Sequence, residues 1–270
     1  MNGYPSHDSI MVDGQEVKLN IGSAVAAVLL RAGAIVHMVS TSEDKLENIN
    51  QSFVSLVGDG GKIEYSAVDL MDKEAVSNFV DNLPQDKPID WVQSVGLGAG
   101  SYKLKNDNPY LPIKNVDPEL IESETNTITR STHLLMHALL PILEKQNESR
   151  IAIVTSMSAI RGYSFGAAHT TAKGALDRYA NSVMLGLYRH NIFVSTLRPG
   201  AIDTGMYDNK KVQDSIKMIS DEYGGRWRDE QITLGPPTTV GEAAKFFLTS
   251  PAHVSAIEIV SKGQFPNEGS

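Results

Sequence analysis

The chain has 270 residues, no cysteine and a formal charge of −8 at pH 7. Without cysteine there is no disulfide, thiolate nucleophile or Cys-ligated metal, and the negative balance argues against nucleic acid or an anionic membrane as the main partner. No apolar run reaches the ~18 residues that span a bilayer. Residues 1–8 lack the basic-then-apolar layout of a secretory leader, so a cytoplasmic protein is expected.

Along the chain, apolar strand-like runs alternate with helix-period segments. Strands are predicted at 10–12, 34–40, 62–67, 89–94, 151–155, 193–197 and 256–260. Helices are predicted at 21–32, 43–57, 73–82, 118–146, 168–190 and 240–249. That alternation describes a single α/β domain of Rossmann type: a doubly wound parallel sheet of about seven strands with helices on both faces. Runs such as Ile151-Ala152-Ile153-Val154 suit strands covered on both sides. Segments 96–117 and 203–237 lack periodicity, and loops of that length are commonly lids or binding loops. Both follow strand C-terminal ends, where ligands bind in such sheets. The domain is expected to occupy 1–270, with polar, frayed tails at 1–8 and 263–270.

Several short motifs punctuate this layout. Gly14 follows the first strand, and Asn20-Ile21-Gly22 opens the first helix, whose N-terminus suits a pyrophosphate. Glu16, an anion, and Asn20, bulkier than glycine, count against that use. The second strand ends Val39-Ser40-Thr41-Ser42 without a carboxylate, Asp69-Leu70 follows the third, and Gln93-Ser94-Val95-Gly96 closes the fourth. The fifth ends in Thr155-Ser156. His169 and Lys173 then stand at i and i+4, one helix face and about 6 Å apart. Arg198-Pro199-Gly200-Ala201-Ile202-Asp203-Thr204 closes the sixth strand.

This order resembles the short-chain dehydrogenase/reductase family, most strongly from Ile151 to Thr204. That family uses a Ser, a Tyr thirteen residues on and a Lys four beyond; here Ser156, His169 and Lys173 stand in those places. The stretched turn, with Gly14 six residues before Asn20-Ile21-Gly22, is similar to that of the enoyl-acyl-carrier-protein reductase branch. So are Ser42-Glu43-Asp44-Lys45-Leu46 and Ser94-Val95-Gly96. The resemblance implies an NAD(P) site formed by Gly14, Asn20, Ile21, Gly22, Ser40, Asp69, Leu70, Ser94, Gly96, Lys173, Pro199, Gly200, Ile202 and Thr204. Hydroxyls at the end of strand two, with Lys18 or Lys45 nearby, lean slightly to NADP. The family's relay Asn falls on Ile128, with Asn126 two residues earlier. A homodimer or homotetramer built on the long helix is also implied.

His in place of Tyr changes the chemistry. A phenol near pKa ~10 stays protonated at neutral pH, whereas imidazole starts near ~6.5 and a neighbouring Lys⁺ lowers it. His169 is therefore expected to be neutral and a base before it is an acid. The leading expectation is an NAD(P)-dependent oxidoreductase acting on a small or acyl-carrier-bound carbonyl, alcohol or enone. Ser156 would position the oxygen, His169 would act as acid/base, and Lys173 would bind ribose and tune His169. One alternative is a cofactor-independent isomerase, dehydratase or cyclase using His169 as base; another is a non-catalytic binding or regulatory protein. Tyr163 offers a substitute phenol, and Tyr102 and Tyr110 offer walls for the substrate. His133 and His137 have helical metal-ligand spacing but no third ligand, so no metal site is expected.

Overall fold

Side chains along the strand Ser149–Val154 alternate between two cores, and that alternation sets the layering. Ile151 and Ile153 enter one core, Ala152 and Val154 the other, each 3% exposed or less. The computed structural model describes residues 8–12, 15–84, 86–94, 111–162, 166–223 and 234–261. Its strands are β1 (Ser9–Val12), β2 (Gln15–Lys18), β3 (Ile35–Ser40), β4 (Lys62–Ala67), β5 (Trp91–Gln93), β6 (Ser149–Val154), β7 (Ile192–Pro199) and β8 (Ala256–Ile259). Its α-helices are α1 (Ile21–Arg31), α2 (Glu43–Phe53), α3 (Lys73–Asp81), α4 (Pro118–Leu143), α5 (Ala167–Leu187), α6 (Lys210–Tyr223) and α7 (Pro237–Thr249).

The fold is the expected Rossmann-type α/β arrangement, with parallel strands and helices on both faces. β5, β6, β7 and β8 pair in parallel in that order, and β3 pairs in parallel with β4. On one face α3, α4 and α5 contribute Val76, Ile128, Leu135 and Leu176 to a core with Ile151 and Ile153. On the other, Val25 of α1 and Val240, Ala244 and Phe247 of α7 pack against Ala152, Val154 and Leu197. Gly241 permits this close approach: a Cβ there would lie 2.8 Å from the Ala24 carbonyl oxygen and 2.7 Å from Val28 Cγ2.

Two local differences from the sequence expectation matter. First, β1 pairs antiparallel with β2, with Val12 opposite Gln15, rather than running into a long turn. Asp13-Gly14 stands between the paired residues, and Asp-Gly flanked by strand-formers is a strong hairpin sequence. Among the described residues the parallel pairing therefore falls into two blocks, β3–β4 and β5–β8. Second, the segment expected to be irregular, 203–237, contains the helix α6, whose exposed face carries the i,i+4 pairs Lys210–Asp214 and Lys217–Asp221. No described helix is long and apolar enough to cross a membrane.

Candidate active site

β6 delivers Ser156 to the C-terminal edge of the sheet. The Ser156 Oγ accepts the Ser158 amide at 3.1 Å and caps a short 3-10 turn, Met157–Ala159. That bond fixes the hydroxyl with one lone pair engaged, leaving its own proton to donate. α5 starts next to this turn and presents Ala168, Ala172, Lys173, Leu176 and Asp177 on its buried face. His169 is partly buried, with Nδ1 shielded from solvent, while Lys173 is 5% exposed and donates to the Val154 carbonyl oxygen at 3.3 Å.

Behind these groups a second set of charges locks the frame. Asp177, fully buried one turn beyond Lys173, accepts from Arg198 Nε at 2.8 Å and Nη2 at 3.2 Å. It also accepts from Arg178 at 2.6 Å and from the Thr155 hydroxyl at 3.2 Å. Burial alone would raise the Asp177 carboxyl, but the hydrogen bonds from Arg198 and Arg178 outweigh it and hold the group below the usual carboxylate range. Arg198 also reaches Glu258 at 3.4 Å, so one cluster ties α5 to β7 and β8. The Pro199–Gly200 turn that follows is fixed by the Gly200 amide, which donates to the Ile259 carbonyl at 2.8 Å.

A cavity of about 1900 Å³ opens in front of this frame, between β3 on one side and β5 on the other. Its wall brings together Asn20, Ile21, Gly22, Ser40, Asp69, Leu70, Ser94, Ser156, His169, Lys173, Pro199, Gly200, Ile202 and Thr204. Every described residue of the expected NAD(P) site and of the Ser-His-Lys set is in that wall, whereas Lys18, also weighed for a 2′-phosphate, is not. Gly14, Gly96, Tyr102, Tyr110 and Tyr163 lie outside the described residues. At the start of α1, Asn20 caps the helix by accepting the Ser23 amide at 2.9 Å, and the first turn of α1 carries no acid. A Cβ at Gly22 would make ordinary van der Waals contact, 3.4 Å from Asn20 Oδ1 and 3.6 Å from Ser94 Oγ. Lys18 bridges Asp203 and Asp208, each at 2.9 Å, where the 203–208 segment leaves the Pro-Gly turn.

The electrostatics of the expected acid/base residue, His169, depart from the sequence expectation in degree. Burial first, then the Lys173 charge, push His169 down to about 3. Burial also lowers Lys173 to about 8, partly offset by a carboxylate that sequence reasoning did not nominate, Glu124. Glu124 is 4% exposed on α4, and burial raises it to about 7 against the opposing pull of Lys173. Asn126, weighed as a shifted relay residue, is exposed, and Ile128 is fully buried in the core. The available signal was placement: Glu124 lies one turn from Leu120 and one from Ile128, so it interrupts the apolar stripe of α4. His133, the first of the discounted histidine pair, hydrogen-bonds Tyr179 at 3.0 Å.

A parallel α/β sheet with a cavity at its strand C-terminal ends is the architecture in which nucleotides commonly bind. Comparison with known proteins supports this: residues 18–215 match the family model described as short chain dehydrogenase. The chain belongs to that family, whose members are oxidoreductases. It is 24% identical over 263 residues to a 3-oxoacyl-[acyl-carrier-protein] reductase from Aggregatibacter actinomycetemcomitans, covering 94% of this chain and 97% of that one. It is 22% identical over 195 residues to a 3-ketodihydrosphingosine reductase from Bacteroides thetaiotaomicron, a match spanning 72% of this chain but only 64% of that protein. Among solved structures, an NADPH-bound short chain oxidoreductase from Pseudomonas aeruginosa, described as containing an atypical catalytic center, superposes with a TM-score of 0.71. It shares 20% identity over 89% of this chain and 91% of that one.

Proposed function

We propose that this protein is an NAD(P)-dependent oxidoreductase that interconverts a carbonyl and an alcohol on a small or carrier-bound substrate. The observation that carries this reading is the single cavity whose wall gathers the acid-free N-terminus of α1, Ser40, Asp69, Ser94 and the 199–204 turn around Ser156, His169 and Lys173. The residues present fit a dinucleotide: Asn20 to Ser23, at the start of α1, line the cavity, and the space at Gly22 is one that a side chain would occupy. Asn20, Gly22 and Ser94 would hold the pyrophosphate end, Asp69 and Leu70 the adenine end, and Pro199, Gly200, Ile202 and Thr204 the nicotinamide end. Ser40, Thr41 and Lys45 line the wall beyond β3 with no carboxylate at the strand end, which favours NADP over NAD.

A nicotinamide dinucleotide bound there supplies the hydride for carbonyl reduction, or accepts it for alcohol oxidation. The chain's own groups manage the oxygen and its proton. Ser156 donates its hydroxyl proton as a hydrogen bond to the substrate oxygen. A histidine held near pKa 3 is a weak base, so the neutral His169 imidazole serves as a second hydrogen-bond donor to that oxygen. Lys173, near 8, has the proton affinity that best suits exchange at neutral pH. In reduction the carbonyl π pair moves to oxygen, a Lys173 N–H bond breaks, and the new O–H bond forms; the neutral amine then regains a proton from solvent. The acid/base role thus moves from His169, where the sequence put it, to Lys173, because burial weakens the imidazole far more than a neighbouring charge alone would.

Fluorescence titration of NADPH and NADH tests the reading directly. Saturable binding with preference for NADPH is expected. No binding of either at millimolar concentration would refute it and favour the cofactor-independent alternatives.

A further inference from the structure

β3 and β4 pair in parallel, with His37 opposite Glu64 and Val39 opposite Ser66. Side chains two apart on a strand share a face, so Glu64 and Ser66 project on the same side of the sheet as His37. The three fall into a line. His37 Nε2 stands 2.9 Å from Ser66 Oγ, and His37 Nδ1 stands 3.4 Å from Glu64 Oε2. A hydroxyl, a base within hydrogen-bond reach of it and a carboxylate behind the base are the parts that nucleophilic catalysis requires. The second distance is an ion-pair separation just long of a hydrogen bond, as catalytic pairs often are before substrate binds.

Each group is held in the state such chemistry needs. Lys62 bonds the other Glu64 oxygen and, as the largest cause, keeps that carboxyl below its usual range and therefore ionised at neutral pH. Burial lowers His37, with the Glu64 charge opposing and the Lys62 charge adding to the shift, so the imidazole is neutral and able to accept a proton. A carboxylate beside Nδ1 favours the tautomer with hydrogen there, which turns the Nε2 lone pair towards Ser66. Phe79 of α3 holds the ring edge-on, with centroids 5.2 Å apart. His37 and Ser66 also border a second cavity, of about 390 Å³, separate in its wall from Ser156, His169 and Lys173. Ala75, Phe79 and Leu83 give it an apolar side suited to a short acyl chain, and Asn78 and Asn82 bring amide donors to the same wall.

We propose that Ser66, His37 and Glu64 form a second reactive centre, a serine acyl-transfer site that hydrolyses small carboxylic esters. Ser66 Oγ bonds to the ester carbonyl carbon, its proton passes to His37 Nε2, and the carbonyl π pair moves onto the oxygen, where Asn78 and Asn82 supply donors. Collapse breaks the ester C–O bond, and the leaving alcohol takes the proton from His37. Water then attacks the acyl-serine in the same way, releasing the acid and restoring the Ser66 hydroxyl. No nicotinamide enters, so this centre stands apart from the oxidoreductase reading.

The test treats the full-length protein with a fluorophosphonate, which forms a stable phosphonyl ester with an activated serine, and maps the adduct by peptide mass spectrometry. An adduct on Ser66 is expected, and it should be lost when the protein is heat-denatured first. His37→Gln should slow Ser66 labelling at least about 10²-fold, and Glu64→Gln at least about tenfold. Ser66→Ala should lower hydrolysis of p-nitrophenyl acetate at least about tenfold. Wild-type protein with no adduct on Ser66, or with Ser66 labelled no faster than its other serines, overturns the proposal whether or not the variants fold. An unchanged labelling rate in His37→Gln with wild-type far-UV CD overturns it equally. Failure to bind either nicotinamide would strike the oxidoreductase reading and leave Ser66 labelling untouched, so the two failures are distinguishable.

Discussion

Acidification should destabilise this protein through His169, and the effect has a calculable size. The folded imidazole is held near 3 by burial and by Lys173, whereas in the unfolded chain it titrates near 6.5. As pH falls below 6.5 the unfolded chain takes up a proton that the folded one refuses, so stability drops by up to about 1.4 kcal/mol per pH unit. Between pH 7 and pH 5 this amounts to about 2 kcal/mol. Above 6.5 neither state binds the proton and the contribution vanishes. Glu124 works with the opposite sign: its raised folded pKa means that lowering pH from 7 relieves a cost. His37 is also lowered, chiefly by burial, and adds to the loss. Both residues remain in a His169→Gln variant, so comparing the two proteins isolates His169. Urea unfolding at pH 7 and pH 5, followed by far-UV CD and by the fluorescence of the buried Trp91, provides the measurement. Wild type should lose about 2 kcal/mol more than His169→Gln between the two pH values. Equal losses in the two proteins would refute the claim that the imidazole is held neutral in the folded protein, and with it the proposed transfer of the acid/base role to Lys173.

Five other substitutions test separate parts of the structure. Asp177→Asn leaves Arg198, 12% exposed, without its bidentate partner and should destabilise by about 3–5 kcal/mol in urea unfolding, whereas Glu258→Gln, at an exposed 3.4 Å contact, should cost under about 1 kcal/mol. Gly241→Ala forces a methyl to within 2.8 Å of the Ala24 carbonyl oxygen and should cost about 1–3 kcal/mol. Gly186→Ala, on the exposed side of α5 with nothing within 4 Å, should instead stabilise by about 0.5–1 kcal/mol, and thermal melts read both. Ser156→Ala removes a donor aimed at the substrate oxygen and should lower kcat about 10²-fold while leaving NADPH affinity unchanged, as steady-state kinetics beside cofactor titration will show.

The parts of this molecule legible in the sequence were those that local pattern dictates. Ile151-Ala152-Ile153-Val154 read as a strand because both its faces are buried, and the structure divides those side chains between two cores. The cavity wall was legible for a related reason: strand ends and helix starts fix where Ser40, Ser94, Ser156 and Pro199 must emerge, whatever the loops do. Two misreadings had signals in plain view. Asp13-Gly14 between strand-formers favours the hairpin that β1 and β2 make, and Val212, Ile216 and Ile219 keep a helical period through α6. The degree of the His169 shift had no such signal. Spacing announced that a lysine would stand beside the imidazole, but burial, the larger cause, belongs to the assembled fold.

Glu124 shows why the electrostatics could not be read outward from the motif. The cation whose charge acts on it, Lys173, is forty-nine positions away in sequence and on another helix, and no spacing rule joins them. What the sequence does display is an inconsistency, an acid where α4 needs an apolar residue, and such violations concentrate at functional sites. Reading α4 for the residue that does not belong would have found Glu124. Reading it for an asparagine led to Asn126, which faces solvent. Burial raises the Glu124 carboxyl and lowers the Lys173 ammonium, so the two proton affinities converge. An imidazole beside that lysine is the group least able to carry charge, and the residue that stands where the family has its Tyr is held neutral in this wall.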